Sequence, residues 1–428
     1  VRILVVGGGG REHALCWALR RDFPDATLFA APGNPGTALL ATNLPVAMTA
    51  TDDLVAAAAR QRVDLTIIGP EAPLAAGLGD RLRAAGRAVF GPTQAAARIE
   101  SSKAFAKEVM RRAGVPTAAS RTFSDLVPAL VYIETHGAPL VVKASGLAAG
   151  KGVVMCATRA EAAHTARAML EEGAYGEAGR EIVVEAFLEG EELSVLALTD
   201  GERIAILPPV QDHKRLGEGD AGPNTGGMGA YCPVSVATPA LLARVRQEVL
   251  EPTLRELASR GTPYQGVLYA GVMLAPDGTV RVLEFNCRFG DPEAQTMLPV
   301  LPLGTTADLV AIATGRWRPS KDVLPATGAA VTTVLAARGY PEHPEAGAPI
   351  ELPAELGPDV VVFHAGTARD AQGTLRVAGG RVLTVTALAG TVVAAARASA
   401  AACARIAFDG KTYRRDIGWR EIARAGAA

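Results

Sequence analysis

Ile3-Leu4-Val5-Val6 runs straight into Gly7-Gly8-Gly9-Gly10, and a helix-forming stretch from about Glu12 to Arg21 follows. A β-branched strand, a turn without side chains and then a helix is the opening unit of a parallel sheet, because parallel strands have to be joined by crossovers. The pattern recurs. A second strand lies near Leu28–Ala31, a third at Leu65–Ile68 is closed by Gly69-Pro70, and a fourth at Ala88–Phe90 is closed by Gly91-Pro92. Alanine-rich helical segments separate them. The start of the chain therefore reads as a Rossmann-like α/β unit with a doubly wound parallel sheet.

Further on the pattern changes to α+β. Ser101–Ala113 reads as a helix stopped by Gly114 and Pro116, Leu140–Lys143 as a strand, Ala160–Glu172 as a helix and Ile182–Glu185 as a strand. Pro276-Asp277-Gly278 marks a turn between strand runs Gly266–Leu274 and Val280–Phe285. Beyond Ala329, runs such as Val360–Phe363 and Val382–Val385 predict an antiparallel β-rich module with one helix. A chain of 428 residues suits about three domains. With 43 Lys+Arg against 44 Asp+Glu, no global basic field draws it to nucleic acid or to an anionic membrane, so any phosphate site must be local. No run of 18 apolar residues is present, and no transmembrane helix is expected. The five cysteines are scattered, odd in number and never CxxC, which argues against a disulfide framework or a zinc site and fits a reducing cytoplasm.

Four stretches carry chemistry. Gly7–Gly10, between strand and helix, offers free N–H groups to a phosphate or sugar; a plain packing turn is the alternative. It is not a dinucleotide fingerprint, because Glu12 stands where G-x-G-x-x-G needs its last glycine. Gly146-Leu147-Ala148-Ala149-Gly150-Lys151-Gly152 is one residue short of a Walker A loop and has Gly152 where the Mg²⁺-binding hydroxyl belongs. Flanking strand runs make it a hairpin flap, with Lys151 able to reach phosphate. Lys143 closes the apolar run Leu140-Val141-Val142, an expensive place for a cation unless an anion meets it or the side chain snorkels to water. Glu284 and Asn286 are two apart on one strand and share a face, a carboxylate beside an amide oxygen that suits Mg²⁺. Leu283 and Phe285 are expected to bury the opposite face. Arg288 follows, placed to grip a carboxylate or phosphate bidentately.

These stretches occur in order with others: GGGGREHAL, APGNPGTA, GPEAPL, SSKAFAK, GLAAGKGV, QDHKR, GPNTGGMGAY and EFNCRFGDPE. Together they resemble the glycinamide ribonucleotide synthetase (phosphoribosylamine–glycine ligase) family of the ATP-grasp superfamily, over essentially the whole chain. The resemblance implies an N-terminal domain at 1–101, a small ATP-grasp flap domain at 121–188, a central ATP-grasp domain formed by 102–120 with 189–325, and a C-terminal domain at 326–428. It implies ATP-dependent joining of glycine to 5-phosphoribosylamine through glycyl phosphate, with Mg²⁺ or Mn²⁺, in purine synthesis. Only small-molecule partners are implied, and a cytoplasmic monomer is expected.

Residue by residue, the resemblance implies Lys103 and Lys143 as phosphate-binding lysines and Gly146, Gly150, Lys151 and Gly152 as the flap over the phosphates. Glu185, Ala186 and Leu188 match the adenine hinge, Glu192 the ribose carboxylate, and Glu284 and Asn286 the metal ligands. Arg288 is expected to orient glycine's carboxylate and Asp212 to stand near its ammonium; with Lys143 they form the expected catalytic set. Gly8, Gly9, Gly10 and Glu12, with Asn224, complete the substrate-binding set. Ser145 stands where the family often has Asp, and Ala186 where it often has Glu. A related ATP-grasp carboxylase, a non-catalytic nucleotide sensor and an NAD-dependent dehydrogenase are the competing readings. The Arg288–Glu293 stretch tells against the first, the full set of lysines and metal ligands against the second, and the missing fingerprint against the third.

Overall fold

A computed structural model describes residues 1–148 and 151–427. The N-terminal sheet is wholly parallel, in the order 42–43, 27–32, 2–7, 65–68, 88–90. The order reverses between strands Arg2–Gly7 and Leu65–Ile68, so the crevice beyond their carboxyl ends is the place where a doubly wound sheet binds ligand. Gly7–Gly10 and Gly69-Pro70 form its lips. Ile3–Val6 are all fully buried, which explains the unbroken apolar run.

The flap domain is an antiparallel sheet in the order 120–123, 182–186, 140–144, 153–156. Leu140, Val142 and Ala144 pack with Ile182 and Val184 against helices Leu126–His136 and Arg159–Leu170. The intervening Val141 and Lys143 face a cleft. The expected hairpin is present: Leu140–Lys143 pair with Val153–Cys156.

A central antiparallel sheet runs 204–206, 191–199, 266–274, 280–286. The last sheet, 211–212, 229–232, 329–336, 381–389, 360–364, takes two strands from the central region and three from the C-terminal one. Two sequence expectations change here. The C-terminal part has two helices, Val392–Arg405 and Trp419–Ala427, where one was expected. The helix expected over Ser101–Ala113 is present as Lys103–Ala113; it begins two residues later, because Ser102 is extended, caps it with its hydroxyl and separates it from a preceding helix, Gln94–Ser101.

Candidate active site

The flap, the central sheet and the loops around residues 211–229 enclose one cleft with two connected lobes of about 370 and 450 Å³. Both lobes are lined by Lys143, Glu284, Asn286 and Arg288. The residues singled out as phosphate ligand, metal ligands and carboxylate anchor therefore meet in one space.

Glu284 and Asn286 do share a face of strand Val280–Asn286, but the strand is not regular. Glu284 pairs with Gly271 and Val282 with Val272, so Leu283 is an extra residue in a β-bulge. Leu283 accordingly turns into the cleft and lines both lobes, while Val282 is buried behind it and Phe285, also buried, reaches only the smaller lobe. This corrects the expectation that Leu283 packs the opposite face. The Leu283 carbonyl accepts from Lys143 Nζ at 3.3 Å. Burial would raise the Glu284 carboxyl, but Lys214, Lys143, Lys103 and Arg288 outweigh it and hold the carboxyl below its ordinary range.

Lys143 is buried and its ammonium is ion-paired with Glu185, which also holds Lys107 at 2.5 Å. Glu185 is thus a counter-ion between two lysines, and the adjacent Ala186 donates its N–H to the Ala119 carbonyl at 2.9 Å. Ala186, Leu188 and Glu192 line the larger lobe. Glu192 is paired with Lys214. Lys103 approaches the flap, its ammonium 3.4 Å from the Gly146 carbonyl. Burial pulls both Lys103 and Lys107 below the usual lysine range, against the opposing carboxylates. Lys107 went unnoticed in the sequence, although it lies four residues after Lys103 and hence on the same helix face. Ser145 has a clear task. Its hydroxyl accepts from Ala104 N–H at 3.1 Å and donates to Glu181 at 3.0 Å, so it helps to fix the start of the helix that carries both lysines.

On the flap, Gly146 sits against Ala178, where a Cβ would come within 2.7 Å of its Cα. Gly152 lines the cleft, whereas Lys151 is exposed and does not. Gly150 lies outside the described residues.

Toward the N-terminal crevice the site is an arginine ladder. Arg288 reaches Glu100 at 2.8 Å, Asn286 Oδ1 at 3.0 Å and Glu71 at 3.4 Å. Arg381 meets Asp291 at 3.2 Å. The Gly7–Gly10 loop closes around Glu12, whose carboxylate accepts from the Gly9 N–H at 2.7 Å and pairs with Arg11 at 2.5 Å. Cβ atoms at Gly7, Gly9 or Gly69 would all strike that carboxylate. These glycines make room for Glu12 at the sheet's reversal point, and Gly8, Gly9 and Gly10 themselves stand outside the lining of both lobes. Glu71, Glu100, Asp291 and Arg381 were missed by sequence reasoning. Glu71 alone left a signal, since it follows Gly69-Pro70 at the end of a parallel strand.

Asp212 and Asn224 line the larger lobe with Glu293. Burial lifts the Asp212 carboxyl to about 8; Lys214 opposes this, while Glu293 and Glu192 add to it. Glu293 accepts from Tyr269 Oη at 2.7 Å.

A metal fits the Glu284–Asn286 pair: the carboxylate is held ionised and an amide oxygen stands beside it, the few hard oxygen ligands that a Mg²⁺ shared with phosphates requires. Among the described residues no group of three or more His, Cys, Asp or Glu offers an all-protein cage.

A lysine-rich wall facing an arginine-rich one, a β-hairpin flap and a lone carboxylate–amide pair define an ATP-grasp enzyme. Family models described as phosphoribosylglycinamide synthetase match in sequence order: the N domain at residues 1–100, the ATP-grasp (A) domain at 101–294 and the C domain at 330–420. The phosphoribosylamine–glycine ligase of Ralstonia nicotianae is 48% identical over 425 residues, covering 99% of this chain and 100% of that one. That of a Nostoc species is 47% identical over 423 residues, covering 98% and 99%. The solved phosphoribosylamine–glycine ligase of Thermotoga maritima superposes with a TM-score of 0.86 at 35% identity, covering 97% and 100%. The biotin carboxylase domain of Hydrogenobacter thermophilus 2-oxoglutarate carboxylase, solved with MgADP and bicarbonate, is 17% identical with a TM-score of 0.75, covering 96% and 91%, and shares the fold. The chain belongs to the phosphoribosylglycinamide synthetase family, and it is an ATP-grasp ligase.

Proposed function

We propose that this cleft carries out the family reaction, in which ATP, glycine and 5-phosphoribosylamine give ADP, phosphate and glycinamide ribonucleotide, a step of purine synthesis. The observation that carries the reading is the convergence of Lys103, Lys143 and Lys214 on Glu284 beside Asn286, with Arg288 next in line. Adenine lies along Glu185–Leu188 with its ribose toward Glu192, and the phosphates run under Gly146–Gly152 toward Lys103 and Lys143. Glu284 and Asn286 would hold Mg²⁺ or Mn²⁺, which when bound would supply charge neutralisation to the phosphates.

Arg288 orients glycine's carboxylate by two parallel N–H bonds, and Asp212 meets its ammonium. A carboxylate oxygen attacks the γ-phosphorus, the bond to ADP breaks, and glycyl phosphate forms. The amine of phosphoribosylamine, seated at the Gly7–Glu12 crevice, then attacks the acyl carbon; it loses a proton as the carbon–oxygen bond to phosphate breaks. Fixed cations around the transferring group suit this chemistry, which depends on positioning and charge neutralisation. Adenylation would require cations at the α-phosphate.

The same reading divides the chain at 1–101, 121–188, 102–120 with 189–325, and 326–428. The separate sheets of the first two parts support it, while strands 211–212 and 229–232 tie the last two together. The five unpaired cysteines are in keeping with the cytoplasm. Glycine labelled with ¹⁸O in its carboxylate should pass one labelled oxygen into orthophosphate. AMP as product, or unlabelled phosphate at full turnover, would refute the route.

A further inference from the structure

The motif Arg414-Arg415-Asp416-Ile417-Gly418-Trp419 lies outside the nucleotide and metal machinery, yet it is bonded to the loop that carries Lys214 and Asn224. Arg414 is 1% exposed. Its Nε and Nη2 grip Asp416 at 2.8 and 2.7 Å, and its Nη1 donates to Asp220 Oδ1 at 2.9 Å and to the Arg215 carbonyl at 3.1 Å. Arg420, which lines the cleft, takes the other Asp220 oxygen at 2.6 Å. The Gly219 N–H donates to Asp416 at 2.9 Å, and the Gly418 N–H donates to His213 Nε2 at 2.9 Å.

At its base the loop is held by the Thr225 N–H donating to the Lys214 carbonyl at 2.7 Å and the Met228 N–H to the His213 carbonyl at 2.8 Å, while its turn depends on the C-terminal motif. The loop leaves the sheet at Asp212 and returns at Gly229, and its own pairing is two short strands, Arg215–Gly217 and Ala221–Asn224, with a register shift between them. Residues 218 and 219 at its turn are exposed. A planar guanidinium that bridges two carboxylates and a carbonyl fixes direction as well as distance, which a point charge cannot do.

We infer that the C-terminal strap Arg414–Arg424 positions the 212–224 loop for glycine, with Arg414 as the positioning residue. The inference rests on the reading above that Asp212 marks the glycine site. Arg414→Met, Arg414→Lys and Asp416→Asn are compared with Asp212→Asn, measuring the KM for glycine, the KM for ATP, kcat and Tm in the full-length enzyme. Displacing a binding group by an ångström costs up to about a hundredfold. The glycine KM should therefore rise about tenfold or more in Arg414→Met and Arg414→Lys, and less in Asp416→Asn, while the ATP KM stays within about twofold. A purely structural role would lower kcat in step with the folded fraction and leave both KM values alone; that result would overturn the inference. Should Arg414→Met fail to fold, the other two strap variants decide by the same criterion. If Asp212→Asn raises the glycine KM and the strap variants do not, the strap is wrong and the site reading stands. If Asp212→Asn leaves it unmoved, the site reading falls and takes the inference with it.

Discussion

The two charged walls of the cleft solve the same problem with different means. On the flap side, Lys143 and Lys107 share the carboxylate Glu185, and Lys103 lies nearby with Glu284 and Glu100 at longer range, so among the described residues these ammoniums outnumber the carboxylates in direct contact with them. On the crevice side, Arg288 is met by both Glu71 and Glu100, and Arg381 by Asp291, so the guanidiniums are already paired. Point-charge ammoniums left short of counter-ions suit a polyphosphate that arrives with its own charge. Planar guanidiniums held by carboxylates suit the orienting of a small carboxylate whose geometry matters more than its charge. The difference separates a wall that binds from a wall that aims.

The sharpest break should come between them, at Glu284. Glu284→Gln keeps the shape but removes the one ionised oxygen ligand beside Asn286, and kcat should fall by about 10²–10³-fold or more while far-UV circular dichroism and Tm are retained. Near wild-type kcat at saturating Mg²⁺ would remove the metal from this position. Next in size is Arg288→Lys. It retains a charge but cannot serve Asn286, Glu100 and a substrate carboxylate at once, and it leaves buried carboxylates short of partners. A loss of about 2–4 kcal/mol in kcat/KM for glycine is expected, with the ATP KM nearly unchanged. An equal rise in both KM values would mean that the two walls do not divide the work.

How much of this was legible beforehand follows from where each wall draws its residues. Lys143, Glu185, Glu284 and Asn286 each lie on a strand, where apolar neighbours and a spacing of two reveal which side chains share a face. Even there the bulge at Leu283 was hidden, since nothing in Val282-Leu283-Glu284 says that two residues will oppose one. The arginine ladder is different in kind. Glu71 comes from the start of helix Glu71–Ala75 in the N-terminal domain, Glu100 from the end of helix Gln94–Ser101, Asp291 from a loop and Arg381 from the C-terminal sheet. No periodicity links positions that far apart, and only the packing of the domains brings them together. Glu12 shows a third case. Its acidity told against a dinucleotide loop, but its use as the charge around which Gly7, Gly9 and Gly69 close depended on knowing that two strand ends meet there.

A smaller effect tests the flap wall. Lys143→Met keeps the apolar stem along the strand and leaves Glu185 to Lys107 alone. One buried charge-assisted bond is worth about 1.5–3 kcal/mol, so the ATP KM should rise and kcat fall by roughly tenfold or more, with the glycine KM moving little. Together with Arg288→Lys this forms a double dissociation. Unchanged ATP kinetics would make Lys143 a structural partner of Glu185 only.

The smallest effect concerns stability behind the crevice wall, where the first helix meets the C-terminal sheet. His13 is buried there, its Nδ1 accepting from the His364 N–H at 2.9 Å and its ring set edge-on to Phe363 at 5.4 Å. Burial, with His364 adding to it, pulls His13 down to about 3, and burial followed by Arg369 pulls His364 down to about 4. Both rings are therefore neutral in the folded chain at pH values where the unfolded chain, with histidines near 6.5, has begun to bind protons. Because the unfolded state takes up more protons as pH falls below about 6.5, stability must fall in that direction, and the loss continues toward the folded values near 4 and 3. Between pH 7.5 and 5.5 the two histidines together should cost about 1–3 kcal/mol. His13→Gln removes one titrating group, so the variant should be less stable than the parent at pH 7.5 yet lose less on acidification. Urea unfolding at the two pH values reads this directly. Equal losses in parent and variant would show that His13 is not held neutral at this joint.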